Sequence, residues 1–273
     1  MKTWPFAFCM GIAGLGSQPA TASAIAPHQA VYDLSLVQLR KGADLSSVTG
    51  RLAFEIDGST CEGWSTSFRM MNRFQPNEGD TKLLDTQTTS FESADGLSMR
   101  LNQKEYLNGA LNSETRIAVS RDAVAQPAKG ERGEAGTAPF VLPGNVMFPM
   151  QHQLRLMTEA EAGANRDDSI VYDGSDAEKT FRVITFIGKR KAPGSNAHDN
   201  ADRDAAALSA IASWPVTISY YRNSTGAPDT PEYQVSFDLY ENGVATGLVL
   251  DYDDFVLGGD LSRLEFGKAT PCP

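Results

Sequence analysis

Histidine and cysteine are scarce in this chain, with three of each in 273 residues. No Cys or His lies at finger spacing from another, so a metal site of that kind is not expected. Positive charge is in short supply too: 24 Lys and Arg stand against 34 Asp and Glu, a net charge of −10. That balance argues against a nucleic-acid partner and against docking on anionic lipid by charge alone. Serine-hydrolase elbows, phosphate loops and dinucleotide fingerprints are absent, so no catalytic residue and no cofactor is expected from motifs. After the first 24 residues no long apolar run occurs, and no transmembrane helix is expected there. No internal repeat has a clear fixed period.

The first 24 residues have a different character. Lys2 is followed by an apolar run from Trp4 to Leu15, and Ala22 and Ala24 occupy the −3 and −1 positions of a cleavage site. This is the layout of a secretory signal peptide. The run is about a dozen residues, short of the roughly 20 that span a bilayer. Cys9 follows Phe6, Ala7 and Phe8, too early and in the wrong company for a lipoprotein signal. Cleavage after Ala24 would leave Ile25 as the first residue, a periplasmic location, and a net charge of 23 − 34 = −11.

Removal of Cys9 would leave Cys61 and Cys272. Two cysteines in an oxidising compartment are expected to form a disulfide. Two buried free thiols are the alternative, and a nucleophilic Cys61 would need a base that sequence cannot place. A bridge would close a loop whose chain entropy corresponds to at most about 5 kcal/mol.

The rest of the chain reads as short alternating segments separated by turns. In 50–57, Leu52, Phe54 and Ile56 share one face, and similar segments continue through 63–71, 86–93, 97–107 and 113–120. More follow from Ser169 to Phe266. Asp57-Gly58, Asp95-Gly96, Asn108-Gly109, Asp173-Gly174 and Asn242-Gly243 punctuate the pattern as hairpin turns. The expectation is a mainly β protein: one β-rich domain over 25–273, a dozen or more antiparallel strands, and a barrel-like sheet, closed or partly open, that limits exposed edges. One segment, 148–163, has helical spacing instead. Met150, Leu154 and Met157 fall at i, i+4 and i+7, Pro149 suits the first turn, and Gly163 a stop. This predicts one amphipathic helix with Leu154 on its buried face. The polar stretches 125–139 and 188–207 read as loops.

Candidate chemistry is thin. His28, His152 and His198 are scattered, and His152 reads as a structural hydrogen-bonding group on the helix. Asn200, Asp202 and Asp204 alternate like calcium ligands, but Ala205 stands where the turn glycine belongs and Ile211 where the last acid belongs. In "LDYDDF", Asp251 and Asp253 share a face of an alternating strand while Asp254 points away, and the segment reads as a solvated strand face. Paired carboxylates for glycoside hydrolysis leave no mark in sequence spacing.

Several segments nevertheless occur in a specific order: "HQAVYDLSL", "CEGW", "LPGNVMFPMQHQLRLMTEAEAG", "VYDGSD", "YYR" and "GLVLDYDDFVLGGDLSRLEF" before the final cysteine. From His28 to Cys272 the chain resembles the EipB-type cell-envelope integrity family of alphaproteobacteria. The resemblance implies a periplasmic protein with an open, spiral-like β-barrel and a disulfide between Cys61 and Cys272. It also implies a role in envelope integrity without an established enzymatic activity. Three functions follow as expectations. The first is a non-catalytic factor binding a protein or envelope component; the second is a carrier of an acyl chain in the barrel interior; the third is a carboxylate-dependent envelope hydrolase. An unfilled apolar interior favours the carrier, two close carboxylates in a cleft the enzyme, and a filled core a surface partner.

Overall fold

A computed structural model describes residues 25–133, 138–175, 179–195, 203–223, 226, 230–269 and 272. The predicted signal peptide therefore lies outside the described residues, as do His198, Asn200 and Asp202. The chain begins with an eight-strand meander. Its strands are β1 (His28–Leu39), β2 (Ser47–Ser59), β3 (Gly63–Gln75), β4 (Lys82–Glu92), β5 (Ser98–Leu107), β6 (Ala110–Ser120), β7 (Ala128–Arg132) and β8 (Ala138–Leu142). The short β9 (Val146–Met147) leads into helix α1 (Pro149–Glu161). Next come β10 (Arg166–Val171), β11 (Phe181–Ile187), the short helix α2 (Arg203–Leu208), β12 (Ser213–Arg222), β13 (Tyr233–Tyr240), β14 (Ala245–Asp251) and β15 (Phe255–Phe266).

All fifteen described strands belong to one sheet, ordered β8-β7-β6-β5-β4-β3-β2-β1-β15-β14-β13-β12-β11-β10-β9. The first strand pairs antiparallel with the last, from His28 opposite Phe266 to Leu39 opposite Phe255. Every other neighbour is antiparallel except β9 on β10. The sheet curls into a nearly closed barrel. Its two edges, β8 and β9, are consecutive in the chain, yet no ladder joins them, and one seam stays unsealed. Residues from both sides still pack across that seam: Leu101, Val119, Phe140, Phe148 and Tyr172 share one apolar cluster.

Alternation decides which side chains face inward, because successive Cβ atoms point to opposite faces. On β1, His28, Ala30, Tyr32 and Leu34 are buried while Gln29, Asp33 and Ser35 are exposed. The turn of β5 into β6 is Asn108-Gly109 with both φ positive (51° and 82°), the conformation a two-residue hairpin needs.

Helix α1 forms where the spacing predicts it. Pro149 opens it, and Gly163 follows the C-cap with φ 79°, a left-handed stop that glycine adopts without Cβ strain. The buried face differs from the prediction. Met150, His152, Leu156, Met157 and Ala160 are buried, and Leu154 is only partly so. The helix sits inside the curve of the sheet, so its contact face is wide and centred on Leu156. Burying an apolar side chain of this size contributes about 2 kcal/mol.

Four local expectations need correction. The 125–139 stretch holds β7 and the start of β8, because it pairs with β6 through backbone bonds that need no apolar side chains. The 188–207 stretch holds the start of α2, which buries Leu208. In "LDYDDF" the strand ends at Asp251 and the chain reverses through Tyr252–Asp254, closed by the Tyr252 N–H donating to the Phe255 carbonyl at 2.9 Å. Asp251 and Asp253 thus do not share a strand face. Likewise β2 runs through Asp57-Gly58 to Ser59, and the hairpin turn is Thr60–Glu62.

Candidate binding site

Inward-facing residues do not fill the barrel. They surround a cavity of about 660 Å³. One wall is Leu52 and Phe54 of β2 with Phe68 and Met70 of β3; the opposite wall is Ile218, Val235, Phe237, Leu248 and Leu250 of β12 to β14. Phe54, Phe68, Met70, Val235 and Phe237 each keep accessible surface although they belong to the interior. The volume falls within the roughly 300–1,000 Å³ of small-molecule sites.

Helix α1 closes part of this space with Pro149, His152, Gln153 and Leu156. Buried polar groups pin the helix at its N-terminus and at its middle. At its N-terminus, where helix N–H groups lack intrahelical partners, Glu92 accepts the Met150 N–H at 2.9 and 3.1 Å. Arg121, stacked over Phe148 at 4.8 Å, donates to the carbonyls of Gly96 and Val146 and to Gln151 Oε1. Further along, Arg155 Nε donates to Asp167 Oδ1 at 2.5 Å, and the Ser169 hydroxyl donates to Oδ2 at 2.6 Å. His152 Nε2 stands 3.6 Å from the same Oδ2, beyond ordinary hydrogen-bond length. Burial pushes the Asp167 pKa up, but His152, Ser169 and Arg155 outweigh it and hold the carboxyl well below its usual range.

A polar corner sits just after β10. Asp173 accepts the Ser175 N–H at 2.9 Å and is also hydrogen-bonded by the Tyr233 side chain. Tyr233 and Tyr220 stack with centroids 4.3 Å apart, and Phe181 meets both edge-on. Burial raises the Asp173 pKa despite these hydrogen bonds, and burial likewise raises the phenols of Tyr220 and Tyr233. Asp173 is the one carboxylate among the described residues lining the cavity, and no Lys or Arg lines it. Burial also lowers the pKa of His28, whose Nδ1 lies 2.7 Å from the Ala26 carbonyl.

Other sequence candidates lie apart from this cavity. Cys61, in the exposed β2–β3 turn, is disulfide-bonded to Cys272, with Cα atoms 5.7 Å apart. Asp251 pairs with Arg40 at 2.7 Å, while Asp253 and Asp254 are exposed turn residues. Asp204 and Ala205 fall in α2, and Ile211, partly buried, packs on the core. His28 and His152 do reach the cavity wall. Asp173, Tyr220 and Tyr233 went unrecognised because an Asp-Gly pair signals a turn and inward tyrosines signal a core; "VYDG" and "YYR" were the only trace.

A curled, nearly closed β-sheet around an apolar cavity, braced by one internal helix, defines a barrel-like β protein. The profile of the EipB-like family matches residues 19–268, and the chain belongs to that family. It is 33% identical over 256 residues to the cell envelope integrity protein EipB of Brucella abortus (strain 2308), covering 93% of this chain and 89% of that protein. Its fold is similar to the crystal structure of a beta-barrel-like protein of domain of unknown function DUF1849 from Brucella abortus. That similarity has a TM-score of 0.81 at 30% identity and covers 89% of this chain and 99% of the other.

Proposed function

We propose that this chain is a non-catalytic periplasmic factor that supports the cell envelope by sheltering an apolar ligand, such as an acyl chain, inside the barrel. The envelope role is supported by membership in the EipB-like family and by the name of the Brucella relative. The carrier reading rests on one observation: the interior is an apolar-walled cavity of about 660 Å³ rather than a packed core. Among the described residues a single carboxylate, Asp173, lines the cavity, and one such group does not make the acid–base pair that glycoside hydrolysis uses. Export through a signal peptide at 1–24, with the domain at 25–273, is part of the same proposal.

Val235→Trp tests it, because Val235 lines the cavity and the larger ring fills the space without adding charge. A null strain carrying this variant should fail to grow under detergent stress although the protein is present at normal abundance with a near-normal melting temperature. Full complementation by a folded, cavity-filled variant would refute the carrier reading and shift attention to the outer surface.

A further inference from the structure

The barrel interior holds an acidic group without a counter-charge. Asp173 is the single carboxyl on the cavity wall among the described residues, and no Lys or Arg joins it there. The Ser175 N–H donates to it at 2.9 Å, and the Tyr233 side chain is hydrogen-bonded to it as well. Donors of this kind favour the ionised form of a carboxyl and occupy part of its acceptor capacity before any ligand arrives. Burial works against ionisation, and no cationic neighbour offsets it. The two histidines on the wall do not fill the gap. Burial lowers the pKa of His28, which favours its neutral form, and His152 directs Nε2 toward Asp167.

The charge of a ligand's head decides how it meets this wall. An anionic head would be buried beside a like charge with no cation in reach, which is strongly unfavourable. A neutral hydroxyl can donate to Asp173 but brings no charge to balance it. Gln234 adds nothing to the corner: it alternates with Tyr233 and Val235 and donates to Ser219 Oγ at 2.6 Å on the other face of the sheet. A cationic head completes an ion pair, and a buried pair repays its desolvation best where other hydrogen bonds already satisfy the carboxylate. Aromatic faces are open to such a head too. Phe68 and Phe237 line the same cavity, keep accessible surface, and are engaged by no other ring among the described residues.

We infer that the cavity takes an amphiphile with a cationic head, a quaternary or protonated amine, whose charge pairs with Asp173 and whose hydrocarbon tail lies along Val235, Phe237 and Phe68. This rests on the carrier reading above.

The test uses the full mature chain loaded with phenylnaphthylamine, an apolar fluorescent probe. Three competitors share one tail length: dodecyltrimethylammonium, glycerol monolaurate and laurate. At about pH 8, where a free carboxylic acid is ionised, the ammonium compound should displace the probe at a concentration about tenfold below the glyceride, with laurate weakest. Asp173→Asn should erase the advantage of the ammonium compound and leave displacement by the glyceride unchanged; Asp173→Ser stands in if the first variant does not fold. Glu55→Gln removes an exposed carboxyl from the outer face of β2 and should leave the ranking as it was. Displacement by the glyceride or laurate equal to or better than by the ammonium compound, in the unaltered protein, overturns the headgroup assignment while leaving the carrier reading in place. So does an ammonium preference that survives the loss of Asp173 or that is lost in Glu55→Gln. No probe uptake at all overturns both.

Discussion

Glu92, the last residue of β4, accepts the backbone N–H of Met150 in the first turn of α1, 58 residues further along the chain. No acidic residue of the helix itself sits in that turn, so the negative charge favoured at a helix N-terminus comes from the sheet. The pair joins the internal helix to the meander on the far side of the seam from β10. Removing one partner would loosen a wall of the cavity.

Glu92 is 2% exposed, and burial raises its pKa to about 7 against the opposing pull of the Met150 and Gln151 N–H groups and Arg121. A carboxyl whose folded pKa exceeds its unfolded value contributes stability that is present below the unfolded pKa, and that is lost as pH rises through the folded one. Between about pH 4.5 and 7 this group should therefore lower stability with rising pH. Glu92→Gln cannot titrate, so its melting temperature should gain on that of the unaltered protein from acid to neutral pH. Parallel pH dependences for the two proteins would contradict the assignment.

Asp167 should act with the opposite sign. Its depressed pKa means a contribution present above the ordinary carboxylate range and lost as pH falls. Asp167→Asn weakens the bonds from Arg155 and Ser169 and should cost about 2 kcal/mol at neutral pH, with the deficit shrinking in acid. Urea titrations at two pH values measure it.

The helix face can be probed by charge insertion. Leu156 is 2% exposed, whereas Leu154 keeps part of its surface accessible. Leu156→Asp should cost about 4 kcal/mol or more and abolish accumulation of folded protein. Leu154→Asp should be milder. Periplasmic abundance and melting temperature rank the two, and a harsher effect at Leu154 would disprove the helix orientation.

Cys61→Ser should lower the melting temperature, by at most the equivalent of about 5 kcal/mol, and leave Cys272 titratable. Thiol counting on denatured, unreduced mature protein should find no free thiol. Two free thiols in material isolated from the periplasm would rule out the bridge there.

N-terminal sequencing of exported protein should begin at Ile25. That residue is 2% exposed and packs in the core cluster with Trp64 and Leu156, so a chain cut there starts inside the fold. Retention of residues 1–24 in mature protein would contradict cleavage after Ala24.

The sheet and α1 were legible because their signals are local: alternation in segments such as "GRLAFEID", Asn-Gly at 108–109, and Pro149 and Gly163 bracketing a helical period. β7 escaped notice because "AKGER" has no alternating apolar face, and its pairing is a backbone matter. The cavity escaped for a different reason. Alternation says that Phe54 and Phe237 point inward, but whether they meet or leave a gap depends on how tightly the sheet curls. The buried charges Glu92, Arg121 and Asp167 were invisible too, since such residues are normally exposed, and only tertiary partners reveal them.

The closure of β1 on β15 also governs how the chain can fold. Tyr32 of β1 donates its hydroxyl to the carbonyl of Ala245, 213 residues away. A chain emerging N-terminus first must hold β1 unpaired on one edge until its last strand is available. Such distant pairings make folding slow and leave apolar edges open to aggregation in the interval. The protein's yield in the cell will therefore depend on whatever holds the nascent β1–β8 segment until synthesis is complete. Truncation near the C-terminus should be read out as aggregation rather than as a smaller folded product.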